Sequence, residues 1–514
     1  MKPIQYASGS EQTFPQFLFH NRRNRMILYL AVAAIIIQFA GFKYLYPFAN
    51  YIYGDSFTYL KAAYENLTIN DYMIGYSKFL RLVSVFAKPD LVLVSIQYLL
   101  IQCSALFLSF TIFYFYEVRK ITQTILLCFM VFNPLSLHLA NLVSSDGLFL
   151  ALSMGWFALL LWVMYKPSNK IIFWHAILIF TAFTVRYNAL IYPFIATLAF
   201  GLSKLSVRKK VIGLGFGVLL IGWFVGISMF QYKKLTGYWQ FSPFSGWQLA
   251  NNALYAYQEV DSIDRVPVSP QFRALDNMVR NFYDKYPNKP AGEASTSYMW
   301  TEWYPLMRYT NRIFKGKDST APPFKEWASM GPFFSSYGWH IIKKYPMHFL
   351  HYFVWPNSQK YLAPPVEFLE YYNWGNKYLP EEARIWFGYT TNEAKIRMKS
   401  GEAWILTPYP YFVSIVNLTM ILMLLSYLLL KGWQSNKIFN RIILLAGFAW
   451  ITNAGFITFA ASVALRYQAF PALLTFTFSL LLIDWMVQFI QRIKSQSQQQ
   501  KPDNEYFAAA QQHH

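Results

Sequence analysis

Cysteine is nearly missing from this chain of 514 residues: there are two. Cys103 and Cys128 both fall inside apolar runs, where a thiol behaves as a small core group, so neither a disulfide framework nor a cysteine metal knuckle is implied. Charge is also scarce. Asp, Glu, Lys and Arg make up 14% of residues against 55% hydrophobic types, which excludes an ordinary soluble domain and points to a chain that lives in lipid. Acids are the scarcer sign, 25 against 45 Lys and Arg. No basic helix or RNA-reading motif accompanies that surplus, so no nucleic-acid partner is expected. A phosphate-cradling Gly loop, a Ser hydrolase elbow and an HExxH pair are missing too, which removes nucleotide chemistry of the soluble type.

What is present is a series of apolar runs long enough to cross about 30 Å of hydrocarbon. They lie at 26–46, 91–116, 121–140, 144–165, 171–186, 187–203, 211–230, 408–430, 441–460 and 467–490. The fold class expected is therefore an all-α polytopic membrane protein of about ten helices, the first retained rather than cleaved. If the spans alternate, the basic segments 20–25, 119–120, 166–170, 204–210, 431–441 and 492–494 share one side. They and the tails carry about 18 Lys and Arg against about four acids, and this bias assigns that side to the cytoplasm. The domain plan is a cytoplasmic segment 1–25, helices one to seven over 26–230, a large outer loop domain of mixed structure over 231–407, helices eight to ten over 408–490, and a disordered tail 491–514.

Aromatic residues reach 20%, and Tyr and Trp suit the headgroup boundary. The first outer loop, 47–90, holds Tyr53 to Leu60 and Gly75 to Leu80 at helical spacing, which predicts amphipathic surface helices. A further interfacial helix is expected over 339–355, broken at Pro346 and ended at Pro356.

Four charges fall at the outer ends of spans, where an ionisable group beside hydrocarbon is costly and needs a reason. Asp55 and Asp146 suit general-base work or a divalent cation, or they cap helices. On this topology they return to the same face. Arg186 and Arg466 each open an Arg-Tyr pair followed by proline, in 186–193 and 466–471. A guanidinium fork fits a lipid phosphate or diphosphate, and snorkelling to headgroups is the plainer alternative. Weaker candidates are Glu302 between Trp300 and Trp303, which suits a sugar pocket, and His348 with His351, three apart and either metal-binding or interfacial. The triplets Asn66-Leu67-Thr68 and Asn417-Leu418-Thr419 match a glycosylation acceptor, the second inside a span.

The order Gly54-Asp55-Ser56, Gly75-Tyr76, Asn133-Pro134, Ser144-Ser145-Asp146-Gly147, Arg186-Tyr187-Asn188 and Arg466-Tyr467 through Pro471 resembles the GT-C glycosyltransferases. These membrane enzymes take a sugar from a polyprenyl-phosphate carrier on the outer face. The resemblance is best over the first 200 residues and next best in the last span. It implies that Asp55 is the catalytic base and Asp146 a second acid or metal ligand, and that Arg186 and Arg466 hold the donor phosphate. It does not extend to the long loop. Tyr59, Tyr187, Tyr467 and Glu302 are further candidates for lining the substrate. The partners implied are a polyprenyl-phosphate sugar donor and a glycan, lipid or protein acceptor, with a divalent metal as a possible cofactor. The protein O-mannosyltransferase and aminoarabinose transferase branches carry paired acids in the first loop, whereas here Ser56 follows Asp55.

An O-antigen-type polymerase or ligase is the alternative enzyme, and a transporter or flippase the alternative of another class, although no repeated halves are found. The expected location is a bacterial inner membrane with the site facing the periplasm; an endoplasmic-reticulum membrane would put the lumen in its place. The orientation is testable directly. A reporter enzyme that matures only outside the cytoplasm is expected to be active when fused after Ile263 and inactive after Lys209, and the reverse pattern would overturn the topology.

Overall fold

The structure, a computed structural model, describes residues 12–286, 295–314, 322–398 and 400–511. Residues 1–11 of the N-terminal segment and 512–514 of the tail lie outside the described residues. The chain is 77% helical with no strand among the described residues, as an all-α membrane protein requires, because lipid offers no partners to unpaired backbone groups.

Eight helices are long and apolar enough to span a bilayer: Arg22–Leu45, Asp90–Phe115, Lys120–Asn141, Ser145–Tyr165, Val207–Thr236, Trp404–Leu429, Lys437–Ala460 and Leu465–Ser495. Two further apolar helices, Asn169–Val185 and Tyr187–Leu202, are shorter. They fall where the sequence reading places its fifth and sixth spans. Their shortness has a local cause: Arg186 is extended and Tyr187–Ile191 is a 3-10 turn, so the break consumes residues from both.

Ser145–Tyr165 is the axis of the bundle, with 89% of its apolar window buried, whereas Arg22–Leu45 has 11% and Val207–Thr236 17%. Those outer helices leave large apolar side chains such as Ile36, Ile37 and Leu219 exposed, as helices that face lipid do. The third span is jointed at Asn133, whose carboxamide accepts from Leu135 N at 3.0 Å and from the Tyr409 hydroxyl at 2.6 Å. Pro134 lacks a donor there and starts the next turn without leaving one unpaired.

In the first loop, Asp55–Tyr64 and Gly75–Phe86 form two helices, each with one buried face. Gly75 abuts the end of Asn169–Val185 so closely that a Cβ would meet Thr184 O at 2.5 Å. Only glycine fits.

Among its described residues the long loop is mostly helical up to Leu362 and mostly irregular from Ala363 to Ala403 around the short helix Glu381–Phe387, with no strand, and it divides. Helices Pro243–Tyr257, Arg273–Lys285 and Pro323–Lys344 build a second core of their own around Trp247, Tyr298, Phe334 and Tyr337. Asn252 ties that core to the bundle by donating to the carbonyls of Phe459 and Ala460 at 3.2 and 3.1 Å. The later stretch packs into the main core instead through Leu369, Leu379, Ala383, Phe387 and Leu406. The break expected at Pro346 is present, but Pro356 does not end the helix. It sits in the first turn of Trp355–Leu362 after a π-turn over Leu350–Val354, a place where proline is tolerated. The final helix continues to Gln511, where the reading of the tail expects disorder.

Asp71 lies between the two loop helices, and burial pushes its carboxyl from 3.8 up to about 6, with Lys61 only partly offsetting this. Tyr187 and Tyr232 are also close enough to feel its charge. A raised carboxyl binds more protons in the folded state, so stability is expected to fall as pH rises from about 4 to about 6 and then level off. Thermal unfolding in detergent across that window should show the limb in wild type and lose it in Asp71→Asn.

Candidate functional site

The site is assembled by Asn50. Its N–H donates to Asn141 O at 2.7 Å and its carbonyl accepts from Val143 N at 2.9 Å, a parallel two-bond rung that joins the end of the first helix to the turn before Ser145. The same residue's carboxamide accepts from Tyr51 N at 2.9 Å and from Asn373 N at 2.6 Å. Three remote segments are thereby fixed to one point. Just beyond, Gly54 takes φ +90°, a conformation open to glycine and strained for other residues. This turn starts the helix with Asp55 in its first residue position.

Asp55 is not a helix cap. Its carboxylate accepts from the Tyr72 hydroxyl at 2.8 Å and from Arg466 Nη1 at 2.7 Å. Asp146 is likewise not spent on capping: it accepts from Arg186, from the Ser144 hydroxyl at 2.6 Å and from Arg466 Nη1 at 3.4 Å. The structure thus brings the four predicted charges, residues 55, 146, 186 and 466, into one cluster of two carboxylates and two guanidiniums. Arg466 stands between the acids with its side chain 5% exposed, and Asp146 is fully buried. Neither arginine snorkels. Both sit in backbone breaks, Arg186 after Val185 and Arg466 in the 3-10 turn Leu465–Gln468 that follows the extended Ala461–Ala464.

Two consequences follow for chemistry. Asp55 keeps 20% of its side chain exposed while Asp146 keeps none, so an incoming group can reach only the first. Arg466 Nε is buried and has no hydrogen-bond partner, an unmet donor of a kind that folded proteins rarely leave without a reason. The four charges are already neutral in sum, and an anion's oxygen would satisfy this donor.

Of the aromatic candidates, Tyr467 belongs to the cluster: Arg466 Nη2 is 2.5 Å from its hydroxyl, and both guanidiniums lie over its ring, at 4.6 and 4.8 Å. Tyr59 is buried behind the acids and donates to the Ser145 hydroxyl at 3.0 Å. Tyr187 stands farther off, packed on Phe241 and Phe244. Glu302 is exposed on the loop domain and shares no hydrogen bond or ion pair with the four charges. His348 and His351 pack on Tyr345 and Tyr352, and no group of three metal-ligating side chains occurs among the described residues. The acids do not suit a divalent ion either. Arg466 occupies the space between them and both oxygens of Asp146 are taken.

Several contributors had no signal in the sequence. Tyr72 orients Asp55 and carries Trp300 of the loop domain against its ring at 6.4 Å. Phe368, in the left-handed region at φ +68°, lies over Arg466 at 5.0 Å, and a non-glycine residue held there marks a place where function is stored as strain. Its neighbour Glu367 feels the charge of Arg466, and burial holds its carboxyl above the ordinary range against the pull of Lys360 and Arg466.

Removing Arg466 strands one buried acid. Arg466→Ala is expected to destabilise the protein by about 3–5 kcal/mol, the usual cost of breaking a buried pair from one side, whereas Asp55→Asn, at the exposed edge, should cost far less. Arg466→Lys should not restore stability, since one ammonium cannot bridge both acids and Tyr467. Unfolding midpoints of the three variants in one detergent would decide this.

Comparison with protein families, with curated proteins and with solved structures gives no match for this chain, so the meaning of the site rests on its own geometry.

Proposed function

We propose that this protein is a membrane glycosyltransferase of the GT-C kind, moving a sugar from a polyprenyl-phosphate carrier to an acceptor on the outer face. The observation that carries the reading is the convergence of Asp55, Asp146, Arg186 and Arg466, with one buried arginine N–H left unpaired. A scaffold gains nothing from such a cluster at the end of its spans, and ionisable groups there are costly unless used.

In this reading the donor phosphate approaches from the side of Asp55 and Arg186, which keep 20% and 15% of their side chains exposed, and meets the buried Arg466 Nε on local opening of the cluster. The acceptor hydroxyl attacks the anomeric carbon from the opposite face while Asp55 takes its proton. The new acceptor oxygen–carbon bond forms as the carbon–oxygen bond to phosphate breaks, and the bonding pair leaves with the polyprenyl phosphate. Configuration inverts. Negative charge on the leaving phosphate grows through the transition state, so a preorganised guanidinium stabilises that state more than the bound donor. Asp146, closed to solvent, holds both arginines in place and so positions them. Tyr72 does the same for Asp55. No metal enters the scheme, because the donor set does not accommodate one.

The test is release of polyprenyl phosphate from radiolabelled polyprenyl-phosphate sugars by the purified protein, with membrane extract as acceptor. Asp55→Asn is expected to lower transfer at least 100-fold, in line with the loss of a general base, while leaving the protein folded. Tyr72→Phe should lower it by a smaller factor. Full activity in Asp55→Asn would remove its role, and no turnover with any carrier would sink the reading.

A further inference from the structure

A cleft of about 380 Å³ opens beside the start of the helix Asp55–Tyr64, and none of the four clustered charges lines it. Tyr53, just before that helix, and Phe57 in its first turn line it together with Trp374, Tyr378, Glu381 and Glu382, and the Tyr53 ring meets those of Phe57 and Trp374 at 5.1 and 5.6 Å. Tyr53, Trp374 and Tyr378 are 65%, 46% and 66% exposed. Such rings in open water are costly unless something covers them.

The backbone is bent specifically to present them. Asn373, Trp374 and Gly375 follow one another in the left-handed region at φ +49°, +52° and +78°. Two non-glycine residues in that region cost strain, and the surroundings hold them there. Asn373 N donates to the Asn50 carboxamide at 2.6 Å, and its own carboxamide nitrogen donates to Asn376 O and Tyr378 O at 2.8 and 3.0 Å. Trp374 consequently stacks on Tyr53 at 5.6 Å and stays partly exposed. Asn50 is the residue that also joins the Asp55 segment to the Asp146 turn, so the platform and the charge cluster share one anchor.

The lining decides what fits. It holds no Lys or Arg and carries Glu381 and Glu382. Arg384, just behind, donates to both oxygens of Glu381 at 2.7 and 3.0 Å, which leaves Glu382 as the carboxylate that disfavours a phosphate, an acidic sugar or an anionic headgroup. That argues against an aromatic belt seated among lipid headgroups. Flat aromatic faces beside a carboxylate acceptor match an uncharged sugar ring, with C–H groups for the rings and hydroxyls for the acid. We propose that this cleft binds an uncharged sugar unit of the acceptor glycan, outside the reaction centre. The assignment deepens the transferase reading and rests on it for its purpose, but the binding itself does not require turnover.

The experiment is saturation-transfer NMR on the full-length protein in nanodiscs. The probes are uncharged tri- to hexasaccharides of glucose, galactose, mannose and N-acetylglucosamine, with uronic-acid oligomers beside them. Expected is transfer to at least one uncharged probe, weakened roughly tenfold or more in Trp374→Ala and Tyr53→Ala, as truncation of a ring that carries the contact implies. Trp374→Phe should keep most of it, and Trp404→Ala, an exposed ring outside the cleft, all of it. Thermal unfolding of each variant separates lost binding from lost fold. No transfer from any uncharged probe, transfer undiminished in a folded Trp374→Ala, or equal transfer from the uronic-acid oligomers would overturn the assignment. Donor cleavage that depends on Asp55 without Trp374-dependent binding leaves the transferase standing and the cleft without its role. Trp374-dependent binding with no carrier cleaved does the opposite.

Discussion

A guanidinium removed from water cannot stand alone, and Arg466 is placed so that three elements of the chain must come to it. Asp55 arrives from the first loop, Asp146 from the opening of the central helix, and Tyr467 from its own turn. Each carboxylate in turn needs the arginine, because an unpaired buried charge costs several kcal/mol in a protein interior. The interaction is thus a constraint on topology as much as a source of stability: the bundle closes correctly only if spans one, four and the last meet at one end. Arg186 completes the neutralisation from the break between the two short helices.

Around that core the polar backbone supplies precision. Asn50 is one small residue that pairs with the turn at 141–143, receives Asn373, and sits five residues before Asp55. It links the segments that carry the charge cluster to the one that carries the aromatic cleft. The loop domain contributes differently. Its own core of stacked Trp and Tyr gives it independent rigidity, while Tyr72 against Trp300 and the Asn252 bonds to Phe459 and Ala460 set where it rests.

The four charges of the site were legible before any coordinates, and the reason is solvation: an acid or arginine at the edge of hydrocarbon stands out against the long apolar stretches beside it. Tyr59 and Tyr467 came with them as chain neighbours. Glu302 did not, because aromatic flanks in a loop indicate packing without saying what is packed. Nothing in composition distinguishes Tyr72, Glu367 or Phe368 from the many other aromatic and acidic residues of the loops, and their roles follow from contacts made across the chain.

The sequence by itself determined the class of this protein and where its apolar helices fall along the chain, and it singled out the four charges that gather at one place, since these depend on hydropathy and on local charge balance. Tertiary structure decided the rest. Whether an aspartate caps a helix or meets an arginine, whether an arginine snorkels or turns inward, and whether the long loop is one unit or two depend on which segments are brought together. Such pairings join residues up to 411 positions apart, and no local pattern encodes a contact of that span.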